Sequence, residues 1–301
     1  MSIAFDEYLD AKYPLDERSL NRDVRALFES SLRSHSAPRI LDMGCGSGAS
    51  LRRLLLAGLN GRIELTGVDR DAHLLQLARD RIAHDLEMAE FEVSQAAGVV
   101  DARRNREIVT LRLDAAELLA YEPARPGIYD AVIAQALMDL LPLERMVERI
   151  HGWLGAGGLF YASLNYDAGT VLYPAYGDGD FEASLLGVYD ASMERWVDGQ
   201  LCGGAHSGRR LHAALSKADF EILALGSSDW NITPYCGAYR DADEICLLAL
   251  LDMIHGEGLR SGQFDARQLE DWLGHRQAQL IDRKLGLIIH QIDLVAQKTS
   301  A

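Results

Sequence analysis

Ile40-Leu41-Asp42-Met43-Gly44-Cys45-Gly46-Ser47-Gly48 is the stretch on which the fold turns. Pro38-Arg39 leads into Ile40 and Leu41, an apolar run that predicts a buried strand. Ser50 to Leu56, with leucines at 51, 54 and 55, predicts a helix directly after the glycines. Strand, glycine turn and helix N-terminus succeed one another with nothing between. Glycines at such a turn let the backbone take positive φ and let a ligand approach the main chain, and the first helical turn has N–H groups to donate. Gly44-x-Gly46-x-x-Ala49 also fits the looser dinucleotide fingerprint. Asp42 argues against a dinucleotide, because a carboxylate just before the turn repels a pyrophosphate and welcomes a cation.

Asp42-x-Gly44-x-Gly46-x-Gly48 resembles motif I of the class I S-adenosylmethionine (SAM)-dependent methyltransferases. The resemblance implies that the turn, with Cys45 inside it, lies under the methionine part of SAM. It is strengthened by the order of the strands and acids C-terminal to the turn. Ile63 to Asp69 alternates as a second strand and ends in Gly67-Val68-Asp69. Asp69 stands one helix and one strand after Gly46, the spacing at which an acid meets ribose hydroxyls in this topology, and Arg70 stands beside it. Asp69 or Asp71 would also serve as the N-cap of the helix from Ala72 to His84. A third strand reaches Leu113-Asp114-Ala115; the resemblance implies that Asp114 and Ala115 hold the adenine. The competing role for Asp114 is a helix N-cap with Glu117 as capping-box partner. Tyr129 to Ala134 predicts strand four, with Gln135 at its cofactor-facing end. Pro142 then opens a helix that runs to Leu154, and Gly158 to Leu164 predicts strand five. Phe91–Gln95 and Glu107–Leu111 are expected to pair as a hairpin across the polar turn near 101–105.

The remaining segments surround that core. Residues 1–36 precede it, with Leu20, Val24, Leu27, Phe28 and Leu32 on one helical face and Ser19 or Asn21 as cap. In the family such N-terminal segments fold over the SAM site as a lid. On that reading Tyr13 covers the sulfonium, Arg18 pairs with the SAM carboxylate and Asn21 belongs to the same cover. Residues 37–164 are the SAM-binding core. Residues 165–206 are read as a cap insertion; they hold six aromatic residues in 42, about twice the 7% of the whole chain. Residues 207–226 return to the core with a helix capped by Ser207 and a sixth strand. Residues 227–284 form a helical cap, and 285–301 the last strand and tail. The fold class is thus α/β: a Rossmann-like seven-stranded sheet, last strand antiparallel, with helices on both faces and a helical and irregular cap.

Composition narrows the chemistry. The chain has 301 residues, 45 acidic against 30 basic, a formal charge of −15. A nucleic-acid binder presents a basic face, so no nucleic-acid partner is expected and a small-molecule acceptor is. No apolar run is long enough to span a membrane, and the acidic N-terminus has none of the features of a signal peptide; the expectation is a cytoplasmic protein. Cys45, Cys202, Cys236 and Cys246 show no CxxC spacing, and no metal site is expected. Asn/Asp-Pro-Pro-aromatic, the usual motif of base and glutamine methylation, is replaced after strand four by Gln135-Ala-Leu-Met. The predicted function is methyl transfer from SAM to a small molecule, with S-adenosylhomocysteine as product. His206 and Asp229, in loops at the expected C-terminal edge of the sheet, are the candidate bases. The apolar helix from Glu244 to Ile254 belongs to the cap or to a homodimer formed through it. An NAD(P)-dependent oxidoreductase and a non-catalytic SAM-binding protein are the alternatives.

Overall fold

The computed structural model describes residues 4–58, 61–96 and 98–299; the first three residues of the expected lid and the last two of the tail lie outside them. Two helices come first, α1 (Phe5–Ser19) and α2 (Arg22–Leu32). Asn21 caps α2 by accepting the Val24 N–H at 3.1 Å, while Ser19 is the last residue of α1. The core then runs β1 (Arg39–Met43), α3 (Ala49–Leu56), β2 (Arg62–Asp69), α4 (Ala72–Met88), β3 (Glu92–Ala96), β4 (Val99–Arg104), β5 (Glu107–Ala115), β6 (Tyr129–Gln135), a 3-10 turn at Met138–Leu140, and α5 (Leu143–Trp153). It continues with β7 (Leu154–Tyr173), α6 (Asp180–Ser192), the short pair β8 (Trp196–Val197) and β9 (Gln200–Leu201), α7 (Ser207–Lys217), β10 (Phe220–Ser227), β11 (Trp230–Ile232), α8 (Asp243–Ser261), α9 (Ala266–Ile281) and β12 (Gly286–Lys298).

The main sheet has the order β10-β12-β7-β6-β1-β2-β5-β4-β3, with β11 also on β12. The expected seven strands occupy its β10-to-β5 part. β1, β2, β5, β6 and β7 are parallel, and β12 lies antiparallel between β7 and β10. Three expectations are corrected. The segment 99–104 is itself a strand: β4 pairs antiparallel with both β3 and β5, so Phe91–Gln95 does not meet Glu107–Leu111. Gly98 at φ +84° and Asn105 at φ +54° make the two turns, which the polar run 101–105 disguised as one. The strand expected to stop at Leu164 continues to Tyr173, because β12 is long enough to pair with it from Leu159 to Tyr173. Ser207 does not cap α7; it sits inside the first turn and gives its hydroxyl to the Tyr166 carbonyl at 2.8 Å, leaving His206 at the N-cap position.

Three apolar clusters hold the fold. α2, α3 and α4 cover one face of the sheet around Phe28, Leu51 and Ile82, and α5 and α7 cover the other around Met146, Trp153 and Leu211. The third lies above the sheet, where α8 and α9 meet α1, β11 and the far ends of β7 and β12. α8 is apolar nearly all round because α1, α6 and α9 pack on it within one chain. Glu182 and Arg276 form a buried ion pair in this cluster, and Glu182 also accepts the Trp272 indole N–H at 2.8 Å.

Candidate active site

The parallel strands β1, β2, β5 and β6 end at one edge, and the expected cofactor residues gather there. Gly44, Gly46 and Gly48 all have positive φ, at +60°, +50° and +88°. A Cβ on Gly44 would stand 2.8 Å from Leu137, and one on Gly48 3.1 Å from Ala78, so the turn is fixed by packing as well as by backbone. Asp42 is buried at the end of β1 and accepts the Ser50 hydroxyl from the first turn of α3; its other oxygen, Oδ1, is buried without a partner. Burial pushes its carboxyl up to about 7, with the Ser50 hydroxyl and the Arg53 charge pulling the other way. Cys45 is buried, and burial raises its thiol well above the usual range, which makes it a packing residue of the turn.

Asp69, at the end of β2, accepts the Gly46 N–H at 2.9 Å through Oδ2 and the Asp71 N–H at 2.9 Å through Oδ1. Asp71, not Asp69, caps α4, accepting from His73 and Leu74. Each Asp69 oxygen keeps a lone pair for a ligand. Arg70 is exposed on the same turn. Asp114 and Ala115 end β5, in register with Val68 and Asp69. No helix comes directly after them, which removes the capping role for Asp114. Gln135 ends β6 and accepts from Arg53 Nη2 at 2.7 Å, while Arg53 Nε donates to Glu17 of α1 at 2.6 Å. The buried Arg53 was missed in the sequence, where it reads as one more polar residue on a leucine-lined helix.

α1 lies across this edge: a Cβ on Gly46 would come 4.0 Å from Leu9. The three residues expected to form the lid contacts have partners of their own within the chain. Tyr13 packs its ring against the Arg52 guanidinium, 5.3 Å away. Arg18 is paired with Asp243 at the start of α8, not placed at the glycine turn. Asn21 is a structural tie: its N–H donates to Asp293 at 2.9 Å and its amide to the Ser227 carbonyl at 3.0 Å. Lysine and arginine signals in a leader do not say which acid they will meet, and here the acids of α8 and the strand end were nearer.

The two candidate bases separate. Asp229 sits at the junction of β10 and β11, where Oδ1 accepts from the Ser227 hydroxyl at 2.7 Å, His290 Nδ1 at 2.9 Å and the Gln291 N–H at 3.2 Å. Burial alone would raise its carboxyl, but these donors hold it below the usual range, so it is a poor proton acceptor. His206 is held where Gly203 and Gly204 donate to Leu141 and Asp139 carbonyls at 3.0 and 2.8 Å, on top of the 3-10 turn after β6. Its Nδ1 is buried with no partner. Around it stand residues the sequence did not single out. Tyr166 donates to Asp190 at 2.6 Å, and burial raises the Asp190 carboxyl against the pull of that hydrogen bond and of the nearby His206. Burial pushes Asp139 up to about 6. The sequence signal for Tyr166 was only the richness in aromatic residues after strand five, and Asp139, which precedes that strand, reads as structural.

The strand order, the glycine turn and the acids at successive strand ends together define a Rossmann-like α/β fold. A family model described as a methyltransferase domain matches residues 40–103, from β1 through β4. A ubiquinone biosynthesis O-methyltransferase of Bordetella pertussis is 30% identical over 146 residues, 48% of this chain and 50% of that protein, so the chain spans half the length of this relative. Among solved structures, a candidate methyltransferase of Bacillus halodurans C-125 superposes with a TM-score of 0.51 at 12% identity, covering 90% of this chain and 99% of that one. A SAM-dependent methyltransferase of Methanosarcina mazei gives 0.47 at 14% identity, over 89% and 95%. The family match thus covers β1 to β4 alone, and the superposition shows that the rest of the chain shares the fold. Among the described residues there is no helix long and apolar enough to cross a membrane, and no group of three or more potential metal ligands.

Proposed function

We propose that this protein transfers the methyl group of SAM to a small-molecule acceptor, and that His206 takes the acceptor's proton. The residues at the strand edge fit SAM. Asp42 Oδ1 is a sealed, unpartnered carboxylate oxygen beneath the glycine turn, suited to a cationic ligand, and Asp69 and Asp114 stand in sequence where ribose and adenine need acceptors. Bound there, SAM supplies an already activated methyl, so the protein's work is to hold the acceptor in line and keep water out. α1 closes the site from above, with Leu9 over Gly46 and Glu17 locked to Arg53. A base is required only where the acceptor must lose a proton, and His206 Nδ1 is the shielded, unpartnered atom available for it.

The single observation that carries this reading is the convergence of Asp42, Asp69, Asp114 and Gln135 on one sheet edge under α1. Its test is S-adenosylhomocysteine formation from SAM across a panel of small alcohols, phenols and amines, with native protein and His206→Ala. On the best acceptor, His206→Ala is expected to lower kcat by about 10²–10⁴-fold while the S-adenosylhomocysteine Kd stays unchanged. Full activity in the variant would remove His206 from the mechanism; absence of turnover on every acceptor would favour a SAM-binding protein without catalysis.

A further inference from the structure

Leu9, Tyr13 and Glu17 recur every four residues along α1 and so share one face of that helix. Each meets the segment that runs from the glycine turn into α3. Leu9 stands over Gly46, the Tyr13 ring lies 5.3 Å from the Arg52 guanidinium, and Glu17 is bound to Arg53. Arg53 is buried, and a single oxygen of Glu17, Oε1, takes its Nε at 2.6 Å and its Nη2 at 2.5 Å. Nη2 also donates to Gln135 Oε1 at 2.7 Å. The amide nitrogen of Gln135 reaches back to Asp16 Oδ2 at 3.4 Å. Asp16 and Glu17 are neighbours on α1, so the contacts close a ring of Glu17, Arg53, Gln135 and Asp16. The ring joins α1, α3 and the end of β6, and Asp16 extends it to β11 by accepting the Trp230 indole N–H at 3.0 Å.

α1 is anchored without this ring. Ala11 and Leu15 are buried in the cluster that holds α8 and β11, and Arg18 is paired with Asp243. A buried ion pair adds little stability, because desolvation of the two charges offsets most of their attraction. What a guanidinium adds is geometry: its donors lie in one plane and fix two acceptors relative to each other. Here one acceptor belongs to α1 and the other to the strand end beside the glycine turn. A lysine, with a point charge on a flexible stem, would not hold both in one plane.

We propose that Arg53 is a positioning residue for the cofactor: by gripping Glu17 and Gln135 together it sets the separation between α1 and the end of β6 at which the cofactor is bound. The proposal rests on the methyltransferase reading and adds to it a residue that acts through its two partners, not by touching the cofactor. Without the ring, α1 keeps its apolar anchor at Ala11 and Leu15. Its Leu9, Tyr13 and Glu17 face is then free to rise from the glycine turn and admit water.

The test is calorimetry of S-adenosylhomocysteine on the whole protein, native and with Glu17→Ala, Arg53→Met and the two together, with the melting of each ligand-free chain as the control for folding. Arg53→Met keeps most of the volume and removes the donors. It is expected to raise the Kd by about tenfold or more, and Glu17→Ala by about threefold or more. The double variant is expected to bind no more weakly than Arg53→Met alone, since members of one network do not add. Should Arg53→Met not fold, Arg53→Lys takes its place with the same pattern expected. An unchanged Kd in Glu17→Ala overturns the proposal: a loss confined to the Arg53 variants would make the arginine a direct cofactor contact. An unchanged Kd in the Arg53 variant, with only its melting lowered, overturns it as well and leaves Arg53 a structural residue. Losses that multiply in the double variant also overturn it, because the two residues then act separately. A native chain that does not bind S-adenosylhomocysteine would instead overturn the methyltransferase reading.

Discussion

At the scale of the residue, Asp42 and Asp69 do different work although the sequence reads both as acids of a cofactor motif. Asp69 is a brace and an acceptor at once: it holds Gly46 and Asp71 N–H groups and leaves lone pairs outward. Asp69→Ala should weaken S-adenosylhomocysteine by about 1.5–3 kcal/mol, the worth of hydrogen bonds to a charged group, or roughly 10- to 150-fold in Kd. Calorimetry on the folded variant decides; an unchanged Kd would reduce Asp69 to a brace of the turn. Asp42 carries a cost without ligand. Its folded carboxyl lies near 7, above the unfolded value of 3.8, so the folded state binds the proton more tightly. Its contribution is therefore most favourable at low pH, and stability is lost as pH rises from about 4 through about 7. Asp42→Asn should raise apo stability at pH 8 in urea unfolding, flatten its pH dependence over that window, and weaken SAM. A variant less stable at pH 8 and unchanged toward SAM would contradict the assignment. The sequence showed these positions because glycine spacing and strand-end acids are local features. It did not show Arg53 or Asp190, whose roles come from partners far along the chain.

At the scale of the element, α1 is the piece that sequence understates. The resemblance implied a cover laid over a finished site. In the structure Ala11 and Leu15 are buried in the same cluster as α8 and β11, and Asp16 holds the Trp230 indole. α1 is thus a packed wall whose inner face touches the glycine turn. Its polar ties at this edge are Glu17 to Arg53, Asp10 to Arg81 and Arg18 to Asp243. Closure of such an element excludes water from the site. Hydrogen exchange should show amides of α1 slowed by S-adenosylhomocysteine, with those of α5 on the far face of the sheet unchanged. Equal exchange in α1 with and without ligand would make it a permanent wall. β7 illustrates the opposite limit of sequence reading. Its length was hidden because Tyr166, Tyr173 and the glycine at 169 look like loop, and only pairing with β12 makes them strand.

At the scale of the molecule, the order of strands was legible because each βα unit announces itself by apolar alternation, a turn and a cap, and the right-handed crossover then limits the topology. The antiparallel place of β12 came from the resemblance and is what the structure shows. The cap was legible as helices within 227–284 but its packing was not, since those helices bury faces against one another, α1 and the far ends of β7 and β12, and the ion pair of Glu182 with Arg276 joins positions 94 residues apart. The central claim is that this sheet edge is a SAM site. A ligand that binds only the folded state at one hundred times its Kd stabilises it by about 2.7 kcal/mol. The direct measurement is the melting temperature of the full chain with S-adenosylhomocysteine, SAM or NAD at equal, saturating concentration. The expected result is a rise of several degrees with S-adenosylhomocysteine and SAM and none with NAD. A rise with NAD and none with either SAM or its product would contradict the claim.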